Sequence, residues 1–272
     1  MRFTVQTLAS GSSGNMALVR LDGAAIVIDI GIASQRGTRE ALAAAGVAPE
    51  RLDAVLVSHA HGDHLGWSGL KVAVDAGVPA LAGEWTIRAA ARLWRAKTGR
   101  PLPSSAFHET RPGTTYLVGP FEVTPFPVLH DVPTFGYVIS TGGPHPRRLV
   151  VATDLGCAPD DLLDPFAGAD VAVLEANYDE DLLRASPRNA ADRQRVASPL
   201  GHLSNVDAGR FLHRLAAHTG RLPRTVVLAH LSEDHNRPSI AIRDVRAAAD
   251  AGEDSTTMLA APRRAAGPEI EL

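Results

Sequence analysis

The feature that most constrains this chain is the segment 58–64, which reads SHAHGDH and holds three histidines and one aspartate. Neutral imidazole is the commonest protein ligand for zinc and also suits iron, while a carboxylate adds a hard oxygen ligand. The apolar residues 53–57 precede the segment and predict a short buried strand, and Gly62 would let the chain turn sharply. We therefore expect a metal site at a strand end. The alternative, a polar turn with solvated histidines, is disfavoured because ligand-type residues dominate the turn.

Length and composition bound the remaining possibilities. A chain of 272 residues with 45% hydrophobic content suits one large globular domain or two small ones. The single cysteine, Cys157, cannot form an internal disulfide, so we expect a reducing compartment and a cytoplasmic protein. The N-terminus has no apolar segment typical of a signal peptide, and no run has the length of a membrane helix. We therefore expect no membrane partner.

Hydrophobic periodicity and turn residues predict a mixed α/β chain. We expect residues 1–250 to form the folded domain and residues 251–272, rich in Ala, Pro, Gly and charge, to be a flexible C-terminal tail. The predicted strands are 3–8, 17–21, 24–29, 53–57, 121–127, 135–140, 148–152, 169–176 and 225–229. The predicted helices are 38–46, 67–76, 86–97, 205–218 and 239–250.

Further ligand-type residues follow predicted strands downstream. His130, Asp154 and His230 each stand at or just past a strand end, where side chains from different strands can converge. Each has an ordinary alternative, since a loop histidine is a weak signal by itself and an aspartate before glycine is often only a turn former. Asp29 ends an apolar strand before Gly31, where a turn or helix cap is the ordinary role.

The H-x-H-x-D-H run resembles the signature of the metallo-β-lactamase superfamily. This resemblance implies an αββα sandwich of two mixed β-sheets flanked by helices, and two divalent metal ions. Asp29 would brace the histidine loop. Thiolate is absent from the implied ligands, unlike in the lactamases proper. The implied ligands are His59, His61 and His130 for one metal, Asp63, His64 and His230 for the other, and Asp154 between them.

Four further stretches resemble the YycJ/WalJ family of that superfamily, and the resemblance covers about residues 3 to 245. They are 8–15 (LASGSSGN), 175–179 (EANYD), 201–205 (GHLSN) and 230–238 (HLSEDHNRP). Members are regarded as metal-dependent exonucleases acting 5′ to 3′ on DNA. The resemblance therefore implies a hydrolase that uses a metal-bridging hydroxide on DNA, with RNA as the other nucleic-acid candidate. Zinc, manganese and iron all tolerate these nitrogen and oxygen ligands.

The resemblance also suggests catalytic roles beyond metal binding. Asp63 would orient the hydroxide as well as bind metal. In related tRNA-processing members, a histidine paired with a glutamate protonates the leaving oxygen, and His202 with Glu175 matches that arrangement. His202 precedes a predicted helix N-terminus, where partial positive charge favours phosphate. The alternative is that His202 only caps the helix or packs against it.

Candidate substrate contacts come from two polar stretches. The Gly/Ser loop at 9–15 could cradle a phosphate, although an ordinary hairpin loop explains it as well. Residues 184–224 hold eight arginines, no lysine and two aspartates in a chain of net charge −3, which suits a phosphate backbone or simply a solvated basic face. The expected contacts are Ser12, Ser13, Asn15, Arg193, Arg195, Ser204 and Asn236.

Three other functions use the same residues. A cyclic or linear small-molecule phosphodiesterase would need the same metals, as would a thioester or lactone hydrolase, which has less use for the arginines. A nucleic-acid-binding protein with a vestigial site is disfavoured because every implied ligand is present. The sequence leaves open the metal, DNA against RNA, exonuclease against endonuclease, the oligomeric state and the role of the tail.

Overall fold

The computed structural model describes residues 2–252 and 255–272. These residues form strands and helices that alternate along much of the chain. The strands are β1 Phe3–Ala9, β2 Met16–Leu21, β3 Ala24–Ile28, β4 Ala54–Leu56, β5 Ala80–Ala82, β6 Phe107–Glu109, β7 Tyr116–Val118, β8 Phe121–Val128, β9 Thr134–Thr141, β10 Arg148–Ala152, β11 Val171–Glu175, β12 Thr225–Ala229, β13 Thr257–Ala260 and β14 Ile270–Glu271. The helices are α1 Gln35–Ala44, α2 Trp67–Asp75, α3 Glu84–Thr98, α4 Leu163–Phe166, α5 Glu180–Arg184, α6 Ala190–Val196, α7 Asn205–Thr219 and α8 Pro238–Ala248.

The strands form two seven-stranded sheets, with the orders β14-β1-β2-β3-β4-β5-β6 and β13-β12-β11-β10-β9-β8-β7. In the first sheet the pairs from β14 to β3 are antiparallel and those from β3 to β6 are parallel. In the second sheet β10 to β13 are parallel, and β9 pairs with β10 in the antiparallel sense. Both sheets are mixed, as predicted.

The chain divides into two compact units, residues 1–125 with 262–272, and residues 126–261. In the first unit, Leu42 of α1, Leu70 of α2 and Trp94 of α3 belong to one apolar cluster with strand residues such as Val27 and Val55. This burial is what fixes the three helices on the sheet, since helical stability in proteins comes mainly from packing an apolar face.

The second unit has its own core. Phe166 of α4 and Phe211 of α7 pack edge to face, with ring centroids 5.0 Å apart. They share a cluster with strand residues Val150 and Leu174. Helix α7 begins as predicted at Ser204, whose Oγ accepts a hydrogen bond from the backbone N–H of Asp207 at 3.0 Å. Long strands of β-branched residues and capped helices therefore form where the sequence predicts them.

The predicted flexible tail is corrected by the structure. Residues 257–260 form β13, which pairs with β12, and residues 270–271 form β14, which pairs with β1. The backbone N–H of Leu272 donates to Phe3 O at 2.9 Å, and that of Gly267 donates to Thr7 O at 2.8 Å. Composition alone hid these strands, because their stability comes from pairing with distant segments. Residues 253–254 of the predicted tail lie outside the described residues.

Among the residues that the structure describes, no helix combines the length and apolar character that crossing a bilayer requires.

Candidate active site

The histidine loop of the first unit follows β4. His59 and His64 are buried, whereas His61 and Asp63 are half-buried. The ring centroid of His59 lies 4.7 Å from that of His61 and 4.2 Å from that of His64. An oxygen of Asp63 lies 3.7 Å from Nε2 of His64. The turn therefore gathers three imidazoles and one carboxylate, a donor set suited to a divalent cation.

Asp29, directly after β3, holds this loop. Its Oδ1 accepts the backbone N–H of Ser58 at 2.8 Å, and its Oδ2 lies 2.7 Å from Nδ1 of His64. The Ser58 hydroxyl lies 2.9 Å from both carboxylate oxygens. A carboxylate that fixes both the backbone and a ring of a ligand loop is a bracing contact. These contacts suit the bracing role that the resemblance implies for Asp29, which stays a prediction.

The same contacts fix the tautomers of two rings. An ionised carboxylate can only accept hydrogen bonds. Asp29 therefore accepts one from Nδ1–H of His64 and one from the hydroxyl of Ser58. The Ser58 oxygen, 3.0 Å from Nδ1 of His59, then accepts that ring's proton. Both rings carry their proton on Nδ1 and their lone pair on Nε2, as metal-binding histidines do. Sequence reasoning did not assign this role to Ser58, although its place beside the motif was a signal.

Asn15 also belongs to the loop. Its backbone N–H donates to Asp63 O at 2.7 Å, and its side-chain oxygen accepts the Gly11 N–H at 2.8 Å. Its Nδ2 lies 2.9 Å from Nε2 of His64 and 3.2 Å from Asp63 O. The expectation of a substrate contact is corrected, because Asn15 is buried and its amide ties the Gly/Ser loop to the histidine loop.

Two glycines near the loop differ in how much space a side chain would have. A Cβ added to Gly31 would lie 1.7 Å from the carbonyl oxygen of Asp63, so only glycine fits there. A Cβ added to Gly62 would meet nothing within 4 Å, and Gly62 has no positive φ. Gly31 is therefore the glycine that permits a close backbone approach, whereas Gly62 lies in the predicted turn without needing a conformation restricted to glycine.

A second cluster lies in residues 126–261. Asp154, Glu175, His202 and His230 each offer an atom suited to a metal, all within 4.8 Å of one another. Oε1 of Glu175, at the end of β11, lies 2.9 Å from Nδ1 of His202 and 2.9 Å from Nδ1 of His230. One buried carboxylate oxygen therefore orients two imidazoles, whose Nε2 atoms point away from it.

The other oxygen of Glu175 is also engaged. Oε2 accepts the backbone N–H of Leu155 at 2.6 Å and that of Leu203 at 3.3 Å. Burial alone would raise the pKa of Glu175, but the charge and hydrogen bond of His202 and the hydrogen bond of His230 outweigh it and lower that pKa below its ordinary value. The carboxylate is therefore ionised, and it accepts a hydrogen bond from Nδ1–H of each ring.

His130 follows β8 in the same unit. Its Nδ1 donates to Gly201 O at 3.0 Å, which directs Nε2 toward Asp131 at 3.2 Å and Asp154 at 3.7 Å. Burial lowers the pKa of His130, against the opposing charges of Asp154, Asp131 and Glu175. A neutral ring with Nδ1 held by a carbonyl is the form in which histidine binds a metal.

Three of these residues share an uncommon backbone conformation. Asp29, Asp154 and His230 have φ of 58°, 59° and 56°, in the left-handed region. Each directly follows a strand or lies two residues beyond one. At His230, the side chain of Asn177 donates to the backbone oxygen at 2.7 Å and so holds the turn. Non-glycine residues in this region are uncommon and cluster at functional sites.

Comparison with known proteins decides the family. Residues 25–246 match the family described as "Beta-lactamase superfamily domain". Exodeoxyribonuclease WalJ of Streptococcus pneumoniae is 31% identical over 241 residues, which cover 88% of this chain and 85% of that protein. The chain belongs to the metallo-β-lactamase superfamily.

Two further comparisons agree with this membership. Exodeoxyribonuclease YycJ of Bacillus anthracis is 30% identical over 236 residues, covering 86% of this chain and 84% of that protein. The crystal structure of the metallo-β-lactamase fold protein YhfI of Bacillus subtilis superposes with a TM-score of 0.73 at 18% identity, covering 100% of both chains. The predicted family and fold class are confirmed.

The superfamily implies divalent metals, and the donors present fit them. Each unit offers imidazole nitrogen and carboxylate oxygen, the ligands of zinc, manganese and iron. In His59, His64, His130 and His230, Nδ1 is held by an oxygen of the ring's own unit, which leaves Nε2 as the coordinating nitrogen. A metal-binding histidine usually donates a hydrogen bond from its other ring nitrogen to an oxygen of the protein.

In this superfamily member, two expected substrate contacts are corrected. Ser204 is buried, and its hydroxyl caps α7. Asn236 is fully buried, and its Nδ2 donates to Ala176 O at 2.8 Å and to Asn205 Oδ1 at 2.7 Å. The Ser204 side chain therefore caps its own helix, and the Asn236 side chain joins two segments of the second unit. Both are engaged in buried contacts, which argues against a direct contact with a macromolecule.

The remaining expected contacts lie nearer the surface. Ser12 and Ser13 are exposed in the Gly/Ser loop, and Arg195 is exposed on α6. Arg193 is half-buried, and its guanidinium donates to Ser186 O at 3.2 Å. These four remain predictions.

The basic stretch is less positive in the structure than its composition indicates. Several of its arginines form ion pairs with carboxylates, three of which come from outside residues 184–224. The pairs are Arg184–Asp181, Arg188–Asp234, Arg210–Asp207 and Arg214–Asp160. Exposed pairs contribute little stability, but they reduce the net field that this stretch presents to a phosphate backbone.

Proposed function

We propose that this chain is a two-metal-dependent phosphodiester hydrolase, a 5′-to-3′ exodeoxyribonuclease that acts on DNA in the cytoplasm. Its relatives WalJ and YycJ carry the name exodeoxyribonuclease. We propose zinc or manganese as the metal, with iron as the alternative. The proposed ligands are His59, His61, His130, Asp63, His64, Asp154 and His230.

The observation that carries this proposal is the hydrogen-bonded group of Glu175, His202 and His230. It combines a residue of metal-ligand type, His230, with His202, whose Nδ1 is fixed by Glu175 and whose Nε2 is left to transfer a proton. The side chain of His202 is 14% exposed, whereas those of Glu175 and His230 are 0% and 2% exposed. His202 is therefore the member of the group that substrate can reach.

The protein's residues would divide the reaction between them. When bound, the cations supply an activated water and offset the negative charge that develops on the phosphate. Asp63, half-buried in the histidine loop, orients the attacking water. Glu175 accepts a hydrogen bond from Nδ1–H of His202. Any proton given to the leaving oxygen therefore comes from Nε2. Asp29 and Ser58 keep the ligand rings in one tautomer throughout.

The test uses metal-stripped protein reloaded with manganese or zinc. Single-stranded DNA labelled at the 5′ or 3′ end, RNA of the same sequence and bis-p-nitrophenyl phosphate are incubated with it, beside an Asp63→Ala/His64→Ala double variant. Loss of nucleotides progressively from the 5′ end of DNA, absent in the variant, is the expected result. Hydrolysis of the small diester alone would indicate a small-molecule phosphodiesterase instead.

Preferential RNA cleavage would replace DNA as the substrate and leave the chemistry unchanged. Two bound metals without turnover of any phosphodiester would contradict the proposal and direct the search to thioesters and lactones.

A further inference from the structure

The first unit contains a cavity of about 430 Å³ that the proposed chemistry does not use. Its walls are the Gly/Ser loop with Ser13 and Gly14, one side of α1 with Gly37 and Ala41, and the segment Arg263–Ala266. Ligand pockets commonly hold about 300 to 1,000 Å³. The cavity therefore has room for one nucleotide but not for a turn of duplex.

The segment that was expected to be flexible forms a fixed wall of this cavity. The backbone N–H of Ser10 donates to Arg263 O at 3.2 Å, and Gln6 donates from its side chain to Gly267 O at 2.9 Å. A Cβ added to Gly267 would lie 2.8 Å from Oγ1 of Thr7, so the segment lies close against β1. The cavity is therefore built by backbone contacts.

One wall of the cavity, the Gly/Ser loop, is linked to the histidine loop by direct contacts. Gly14 lines the cavity, and a Cβ there would lie 2.9 Å from Gly31 O. The next residue, Asn15, bonds to Asp63 and His64 through its backbone and side chain. A ligand in the cavity would therefore touch the Gly/Ser loop, which contacts the histidine loop through Asn15.

The lining combines apolar surface with positive charge. Leu8, Ile32 and Ala41 are among its aliphatic residues, and Arg263 and Arg264 are its two basic residues. The single carboxylate of the lining belongs to Glu40, which forms an ion pair with Arg36 at 2.7 Å. The charged residues of the lining therefore favour an anion, and its aliphatic residues favour an apolar surface beside that anion.

We propose that this cavity binds one nucleotide of the DNA strand, with the base against the aliphatic wall and a phosphate at Arg263 and Arg264. The proposal rests on the proposed nuclease function and adds a subsite to it. Aliphatic contacts are non-directional and do not select one base over another, which suits an enzyme that degrades a strand regardless of sequence. A serine of the Gly/Ser loop, Ser13, lies in the wall and can donate to the same phosphate.

The first test fills the cavity. Ala41→Trp puts an indole into the space, and Ala43→Trp is the matched control, because Ala43 is exposed on the same helix and outside the lining. Anisotropy of a labelled single-stranded 12-mer measures binding, and bis-p-nitrophenyl phosphate, which needs only the metal site, measures folded enzyme. We expect Ala41→Trp to weaken DNA binding and raise KM for DNA about tenfold, with small-diester turnover unchanged.

The second test removes charge. Arg264→Ala should lower DNA affinity and reduce the slope of affinity against salt by about 1, while Arg100→Ala, an exposed arginine away from the cavity, should not. The subsite would be overturned if the wild type binds and cleaves DNA and Ala41→Trp and Arg264→Ala behave like their controls. The nuclease function would then still stand. Wild-type protein that binds DNA without cleaving it would contradict the function, and the binding comparison would still decide the subsite. Absence of DNA binding by the wild type would overturn both.

Discussion

Oε1 of Glu175 lies 2.9 Å from Nδ1 of His202. The carboxylate is fully buried and the imidazole is partly exposed, so the pair joins a fixed acceptor to a ring that substrate can reach. Because Glu175 accepts a hydrogen bond from Nδ1–H, the protein itself determines the orientation of Nε2, which does not depend on substrate.

Replacing His202 should affect substrates according to their leaving groups. In His202→Asn the amide can keep a hydrogen bond to Glu175 but cannot transfer a proton, so we expect DNA turnover to fall about 100-fold or more. Bis-p-nitrophenyl phosphate has a leaving group that needs little protonation, and its turnover should change much less. The measurement is kcat for both substrates with metal content determined in parallel. Equal losses on both substrates, or none, would contradict the proton-transfer role.

Replacing Asp29 should weaken metal binding without contact to the metal. Asp29→Asn places an amide N–H₂ group where the Ser58 N–H and the His64 ring now donate, so their orientation is lost, and we expect affinity to fall about 10- to 100-fold. Competition with a fluorescent zinc chelator measures it. Asp22→Asn is the control, since Asp22 has a φ of 52° and lies in the turn between β2 and β3. An unchanged affinity in Asp29→Asn would show that the brace is dispensable.

Two glycine substitutions should separate close approach from turn formation. Gly31→Ala forces the Asp63 carbonyl to move, because the new Cβ would lie 1.7 Å from it, and we expect a loss of about 2 kcal/mol or more in the free energy of unfolding. Gly62→Ala adds a methyl group to open space and should leave stability unchanged. Denaturant unfolding of the metal-free proteins measures both. A destabilised Gly62→Ala would show that the turn itself needs glycine at that position.

Acid should destabilise the protein partly through His235. Burial and, to a lesser extent, the charge of Arg188 lower the pKa of His235 below 6.5, against the opposing charge of Asp234. The folded protein therefore binds this proton less readily than the unfolded chain does, so the contribution of His235 is fully present above pH 6.5 and is lost as pH falls below it. His235→Gln should have a shallower fall in the free energy of unfolding between pH 7.5 and about 5 than the wild type. An identical slope in the two metal-free proteins would show that the ring titrates normally.

Much of this fold was predictable because its long strands are rich in Val, Ile and Leu. Strands such as β10 and β12 begin and end where the sequence indicated. The three-residue strands β5, β6 and β7 were missed, since a segment that short has no measurable periodicity. β13 and β14 were missed because composition describes local preference, whereas these strands exist through pairing with β12 and β1.

The candidate site shows the same division. A dense motif such as the one around His59 can be recognised from the sequence. The resemblance also paired Glu175 with His202, and the structure places these two side chains in hydrogen-bond contact. The positions of Ser58 and Asn15 follow from contacts between loops that no spacing rule encodes. Asn236 was misassigned as a substrate contact for the converse reason, because a conspicuous motif residue can equally serve to hold two buried segments together.

The left-handed conformations of Asp29, Asp154 and His230 have a consequence for engineering. Each costs about 1 kcal/mol or more relative to a residue that adopts the conformation readily. Glycine would relieve that strain, but at Asp29 it would also remove the hydrogen bonds to Ser58 and His64, and at His230 the bond to Glu175. A buried donor left unsatisfied costs about 1 to 3 kcal/mol, so the strained residues remain the more stable choice even in the metal-free protein. A stabilisation programme should therefore leave Asp29 and His230 unchanged.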